Sequence, residues 1–203
     1  LWDQGGITAV KVHPETGAVF IGYHSGSWIY QYDGTNFIPK FQLPDAAGAA
    51  ASKGNINAIA FDKPGTTAYI VSRKNHVIYK ASYDMATGEF SDVKLLAGSF
   101  GVTGYADGTG TSAQFNEPSQ GDVDEEGNFY VADRGNHCIR VITPDGEVST
   151  YAGQNKAGMV DGIASLAEFN NPEGCQFGPD GALYVADYSN HAIRKVEEAQ
   201  VQP

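Results

Sequence analysis

Three histidines, His76, His137 and His191, each follow an asparagine and recur at intervals of 61 and 54 residues. Three imidazoles brought to one place could hold zinc, for which neutral imidazole nitrogen is a common ligand. Two aspartates, Asp133 and Asp187, stand in near-identical contexts, Tyr130-Val131-Ala132-Asp133 and Tyr184-Val185-Ala186-Asp187, and can be read as catalytic carboxylates. A third set, Asn55, Asn57, Glu117, Ser119, Asn171 and Glu173, offers amide, hydroxyl and carboxylate oxygens. Such oxygens converging on one point suit a hard cation such as calcium, held weakly.

Recurrence separates these sets. A residue found in every copy of a repeated unit serves the unit, whereas a catalytic group is needed once. His76, His137 and His191 are therefore expected to pack at a turn, with Asp133 or Asp187 accepting backbone N–H bonds there. Arg140 and Arg194 recur too and are expected on the surface of their units. The six residues that differ from copy to copy are the better ligand-binding candidates. No nucleophile elbow or metal-protease motif accompanies them, so no catalytic residue and no metal ligand is assigned.

The elements that position these residues follow from the repeat. Within 118–152, expected strands at 118–123, 128–132, 137–142 and 147–152 alternate with Asp124-Glu125-Glu126-Gly127, Asp133-Arg134-Gly135-Asn136 and Pro144-Asp145-Gly146. These connectors carry turn chemistry. They are too short for parallel crossovers, so consecutive strands pair antiparallel. An offset of 54 maps this unit without gaps onto the next, and Ile29, Ile78, Ile139 and Ile193 mark equivalent points in four copies. A four-stranded meander repeated at about 50 residues is a propeller blade. Runs such as Ala58-Ile59-Ala60-Phe61 are apolar on both faces and need neighbouring blades to cover them. The expected fold is all-β: a β-propeller of four-stranded antiparallel blades, about four present, spanning approximately 5–50, 54–100, 116–153 and 170–203. The last blade lacks its outer strand.

The string Tyr130-Val131-Ala132-Asp133-x-x-Asn136-His137-x-Ile139-Arg140, followed by Pro144-Asp145-Gly146 and Thr150-Tyr151-Ala152-Gly153, resembles the NHL repeat. It returns from Tyr184 to Arg194. The long connections, Gly104-x-x-Asp107-Gly108 to Phe115-Asn116-x-Pro118 and Gly158-x-x-Asp161-Gly162 to Phe169-Asn170-x-Pro172, resemble those of secreted bacterial NHL proteins. The resemblance implies a six-bladed ring, with residues missing upstream of this chain. Leu1 to Gln4 are a poor source for the absent outer strand, and 197–203 read as a polar tail. It also implies a periplasmic or cell-surface location. Phe115 and Phe169 are expected to plug the long connections between blades, leaving Tyr105, Asp107, Met159 and Asp161 to solvent. Tyr105, Asp107 and Asp161 thereby join the ligand-binding candidates, since long loops often carry function.

Thirteen basic against 24 acidic residues give a formal charge of −11. That balance repels phosphate backbones and anionic lipid, so nucleic acid is not an expected partner. No apolar run is long enough to span a membrane. Cys138 and Cys175 lie in expected strands and read as small buried hydrophobes. The combined reading is a non-catalytic scaffold presenting a propeller face to a protein or glycan, with self-association through open blade faces. The alternative is a hydrolase or lyase using a divalent cation in the central channel. Its distinguishing feature is convergence of Asn57, Glu117 and Glu173.

Overall fold

Short runs of β-branched and aromatic residues, punctuated by Gly, Asp and Asn, form strands throughout the computed structural model. The structure describes residues 6–45 and 54–197, so Leu1 to Gln4 and the tail beyond 197 lie outside the described residues. The first sheet holds β1 (Ile7–Val12), β2 (Val19–Tyr23), β3 (Trp28–Tyr32) and β4 (Phe37–Gln42). The second holds β5 (Ile56–Phe61), β6 (Thr67–Ser72), β7 (Val77–Asp84) and β8 (Glu89–Ala97). A two-residue strand, β9 (Gly108–Thr109), follows in the long connection. The third sheet holds β10 (Pro118–Val123), β11 (Phe129–Asp133), β12 (Cys138–Ile142) and β13 (Glu147–Gly153), and the fourth β14 (Pro172–Phe177), β15 (Leu183–Asp187) and β16 (Ala192–Val196). Each sheet is an antiparallel meander, and the first strands β1, β5, β10 and β14 lie side by side around the axis. This is a four-bladed stretch of β-propeller.

Blades hold together by burying facing apolar surfaces. Phe20, Ile29, Ile59, Phe61 and Tyr79 fill the seam between the first two blades. Tyr69, Val71, Phe115, Phe129 and Ile142 fill the second seam, where Tyr69 stacks on Phe129 at 5.1 Å. Ile139, Phe169, Leu183 and Val185 fill the third. At about 25 cal/mol per Å² of apolar area removed from water, these seams dominate stability. Cys138 and Cys175 are buried free thiols, as expected, and burial pushes both well above the ordinary thiol range.

The third blade departs from the expected four strands. Glu147 and Val148 of β13 pair with Thr109 and Gly108 of β9, so part of the incoming connection adds a fifth strand. Phe115 and Phe169 are buried and do anchor the connections between blades. Trp28 and Tyr32 stay more than a third exposed, while Tyr30 is buried against Tyr23.

The repeated polar residues act as connectors between one blade and the next. Asp133 Oδ1 accepts the Asn116 N–H at 2.8 Å, and Asn136 donates to Gly104 O at 2.7 Å. Arg140 donates to Ala106 O, Gln114 O and Asp107 Oδ1 while paired with Asp133 at 2.9 Å. The pattern returns 54 residues later: Asp187 accepts from Asn170, Asn190 donates to Gly158 O, and Arg194 donates to Val160 O, Glu168 O and Asp161. Arg140 is therefore not a surface residue, as its recurrence suggested. It is fully buried, lying 5.2 Å from both the Tyr105 and Phe115 rings. Arg194 is likewise half-buried in its own clamp. Gly104 and Gly158 pack closely on Gln114 and Glu168, whose Cβ atoms would stand 3.0 and 2.9 Å from an added Cβ.

Candidate functional site at the channel mouth

At the end of the channel where the first strands begin, the last three blades carry the same three-part device, and the first blade shares its second and third parts. The backbone enters the first strand through a residue in the left-handed region: Asn55 (φ 50°), Glu117 (φ 53°) and Asn171 (φ 51°). Next, the pairing of first and second strand slips between Ile7 and Ala9, Ile56 and Ala58, Pro118 and Gly121, and Pro172 and Gly174. A bulge re-aims the residues within it. Thr8, Asn57, Ser119 and Glu173 thus occupy one polar tier. Above them, the turn after the second strand presents His24, Arg73, Arg134 and Tyr188 at matching points.

These side chains meet across three blades. Asn57 Nδ2 donates to Ser119 Oγ at 2.7 Å, and Ser119 Oγ donates to Glu173 Oε1 at 3.0 Å. Arg73 reaches from the second blade to Glu173 of the fourth at 2.7 Å and to Glu117 at 3.4 Å. Arg134 pairs with Glu173 at 2.8 Å and Glu117 at 3.1 Å. Two guanidinium groups and two carboxylates form one partly exposed lattice with no formal net charge. Below it, a cleft of about 230 Å³ runs between the first strands, lined by Thr8, Asn57, Gln120, Asp122 and Gln176 among others.

Of the expected site residues, Asn57, Ser119, Glu117 and Glu173 come together. Asn55 sits at the rim, donating to His24 O at 2.6 Å. Asn171 is tied to Asn170 and Ser189. Tyr105, Asp107 and Asp161 are engaged elsewhere. Tyr105 covers Arg140, and the Asp107 and Asp161 carboxylates pair with Arg140 and Arg194 at 2.6 and 2.5 Å. Arg73 and Arg134, central to the lattice, were missed because the turns that carry them read as plain connectors. Their signal was present: at one point of a repeated turn the chain varies from His24 to Arg73, Arg134 and Tyr188.

The histidines fasten one blade to the next. His76 Nδ1 accepts the Glu117 N–H at 3.0 Å, and His137 Nδ1 accepts the Asn171 N–H at 3.1 Å. His76 Nε2 then carries the proton and faces Thr103 Oγ1 at 3.1 Å. Burial holds both imidazoles below their ordinary value of 6.5, with Glu117 opposing at His76 and Arg134 reinforcing at His137. As pH falls below 6.5 the unfolded chain protonates first, so stability declines from that point downward. Between about pH 7.5 and about pH 5.5 Asp133, raised to about 6 by burial, takes up its proton first in the folded chain and opposes the decline, so the histidine effect is read against a variant that lacks it. Calorimetry should show a shallower drop in the thermal midpoint in the His76→Gln/His137→Gln variant.

The fold and the repeated connectors define the class: a β-propeller whose blades are built on one short motif and whose varied residues gather at the channel mouth. Residues 115–142 match the family model of the NHL repeat. Over 81 residues the chain is 37% identical to NHL repeat-containing protein 2 of Bos taurus, a stretch of 39% of this chain and 11% of that protein. An auxiliary nutrient binding protein from Bacteroides thetaiotaomicron superposes with a TM-score of 0.85 at 30% identity, over 95% of this chain and 48% of that one. Virginiamycin B lyase from Staphylococcus aureus shares the fold at 16% identity and a TM-score of 0.64, over 97% and 54%. Residues 115–142 thus carry an NHL repeat within a β-propeller fold, and the chain spans about half the length of these structures.

Proposed function

We propose that this chain is a non-catalytic binding scaffold whose channel mouth recognises a protein or glycan ligand. One observation carries the reading: the positions that vary between blades, unlike the repeated connectors, converge on a single hydrogen-bonding lattice of Arg73, Arg134, Glu117, Glu173, Ser119 and Asn57. The similarity to a nutrient binding protein supports it. A periplasmic or cell-surface location belongs to the same proposal. Arg134→Ala is expected to weaken binding to an immobilised panel of proteins and glycans by roughly tenfold to a hundredfold, as loss of charge-assisted hydrogen bonds does. Unchanged retention by a folded variant contradicts the reading.

The alternative, hydrolytic or lyase chemistry with a divalent cation, draws on the convergence of Asn57, Glu117 and Glu173. Here the two carboxylates are each shared by two arginines, which compete with a cation for the same oxygens. A calcium-binding heat in calorimetry that Glu173→Gln removes favours the alternative.

Self-association is part of the proposal. Val10 and Val12 on β1 are 63% and 54% exposed, and Ile193 on β16 is 71% exposed, although its equivalent Ile139 is fully buried. Apolar surface of this kind drives association. Light scattering of the isolated chain should report a dimer or larger species; a stable monomer opposes this part.

A further inference from the structure

Resting on the binding reading above, we infer that the mouth takes a neutral polyhydroxylated ligand, a saccharide ring with adjacent hydroxyls. The first argument is charge. Two arginines and two glutamates already balance, with both Glu173 oxygens and Glu117 Oε2 held by guanidinium nitrogens. An anion entering here gains two arginines but must approach two carboxylates on a chain of formal charge −11. A cation meets the opposite conflict. A hydroxyl meets neither, because it donates to a carboxylate and accepts from a guanidinium at once. Adjacent hydroxyls can bridge Arg–Glu pairs while leaving the charges in place.

The second argument is what remains available. Glu117 is 43% exposed, and among the described residues its Oε1 has no protein partner. Tyr188 stands in the fourth blade where Arg134 stands in the third, since Asp187 and Asp133 are equivalent in register to Pro172 and Pro118. The residue is 61% exposed. An aromatic ring with an apolar face and a polar tip, at the point of the repeat that carries Arg73 and Arg134 in the two preceding blades, suits the C–H face of a sugar. The amide and hydroxyl chain from Asn57 through Ser119 to Glu173 adds uncharged partners beneath.

The test uses the full chain on an array holding neutral gluco-, galacto-, manno- and xylo-oligosaccharides, uronic-acid and sulfated glycans, and acidic and basic peptides. The expected result is retention of a neutral oligosaccharide and little change between about 0.1 M and about 0.5 M NaCl. Affinity should fall about tenfold in Tyr188→Ala, with recovery in Tyr188→Trp, as for loss of a stacking contact. Tyr188 is a surface residue, so this variant tests the inference even if Arg134→Ala disturbs folding. Retention of acidic glycans or peptides alone, weakened by salt and lost in Arg134→Ala, overturns the neutral-sugar inference and leaves the mouth as the binding face. Retention that neither substitution alters overturns both. Retention of nothing on the array overturns the inference.

Discussion

Arg140→Ala is expected to destabilise the chain by about 3–5 kcal/mol, the cost of removing one member of a buried ion pair. Arg140 and Asp133 have fully buried side chains, and their contact is 2.9 Å. Burial raises the Asp133 carboxyl to about 6, while Arg140 and the Asn116 and Asn136 donors hold it ionised at neutral pH. Without Arg140 that carboxylate loses its countercharge. The same substitution releases Ala106 O, Gln114 O and Asp107, three anchors of the incoming connection. For a chain of this size the loss corresponds to a fall in Tm of roughly 10 °C. Urea unfolding provides the measurement, and a loss under about 1 kcal/mol would show that the clamp carries little. Arg194→Ala should cost less, because the Arg194 side chain is itself 10% exposed and its outer partner Asp161 is 92% exposed, although Asp187 is as buried as Asp133.

Phe115→Ala is expected to cost a similar amount, about 3–5 kcal/mol, through lost burial and the cavity left behind. Phe115 is fully buried between the second and third blades, 3.1 Å from where a Gly98 Cβ would stand, so the site has little room to collapse. Its ring also lies 5.2 Å from the Arg140 guanidinium. The two substitutions therefore act on one clamp, and the double variant should lose less than the sum of the singles. Additive losses would mean that ring and guanidinium support the connection independently.

The sequence made the propeller legible because its strongest signal was periodic. The 54-residue offset and the Asp-Gly and Pro-Asp-Gly turns fix strand order without any long-range information. The placing of Asp133 and Asp187 as acceptors at the turn was also readable, since Asp next to a turn caps free N–H groups. What the repeat could not disclose was which side of the blade a recurrent residue faces. Arg140 was expected on the surface because it recurs with the unit, and recurrence says nothing of burial. Its partners Ala106 O and Gln114 O belong to a loop whose path is set only in three dimensions. Tyr105, Asp107 and Asp161 stay exposed, as their place in the long loops suggested, while their contacts to Arg140 and Arg194 come only from the folded path of those loops. The mouth was half legible. Asn57, Ser119 and Glu173 followed from first-strand alignment, whereas Arg73 and Arg134 come from turns a blade away, and only the channel's curvature brings them to the glutamates.

Amide hydrogen exchange of the full chain, with and without the oligosaccharide retained on the array, tests the central claim most directly. Slowed exchange should concentrate at the turns holding Arg73, Arg134 and Tyr188 and at the starts of β10 and β14. Protection confined to the opposite channel end around Asp124 and Glu125, or to the loop holding Tyr105 and Asp107, would contradict it.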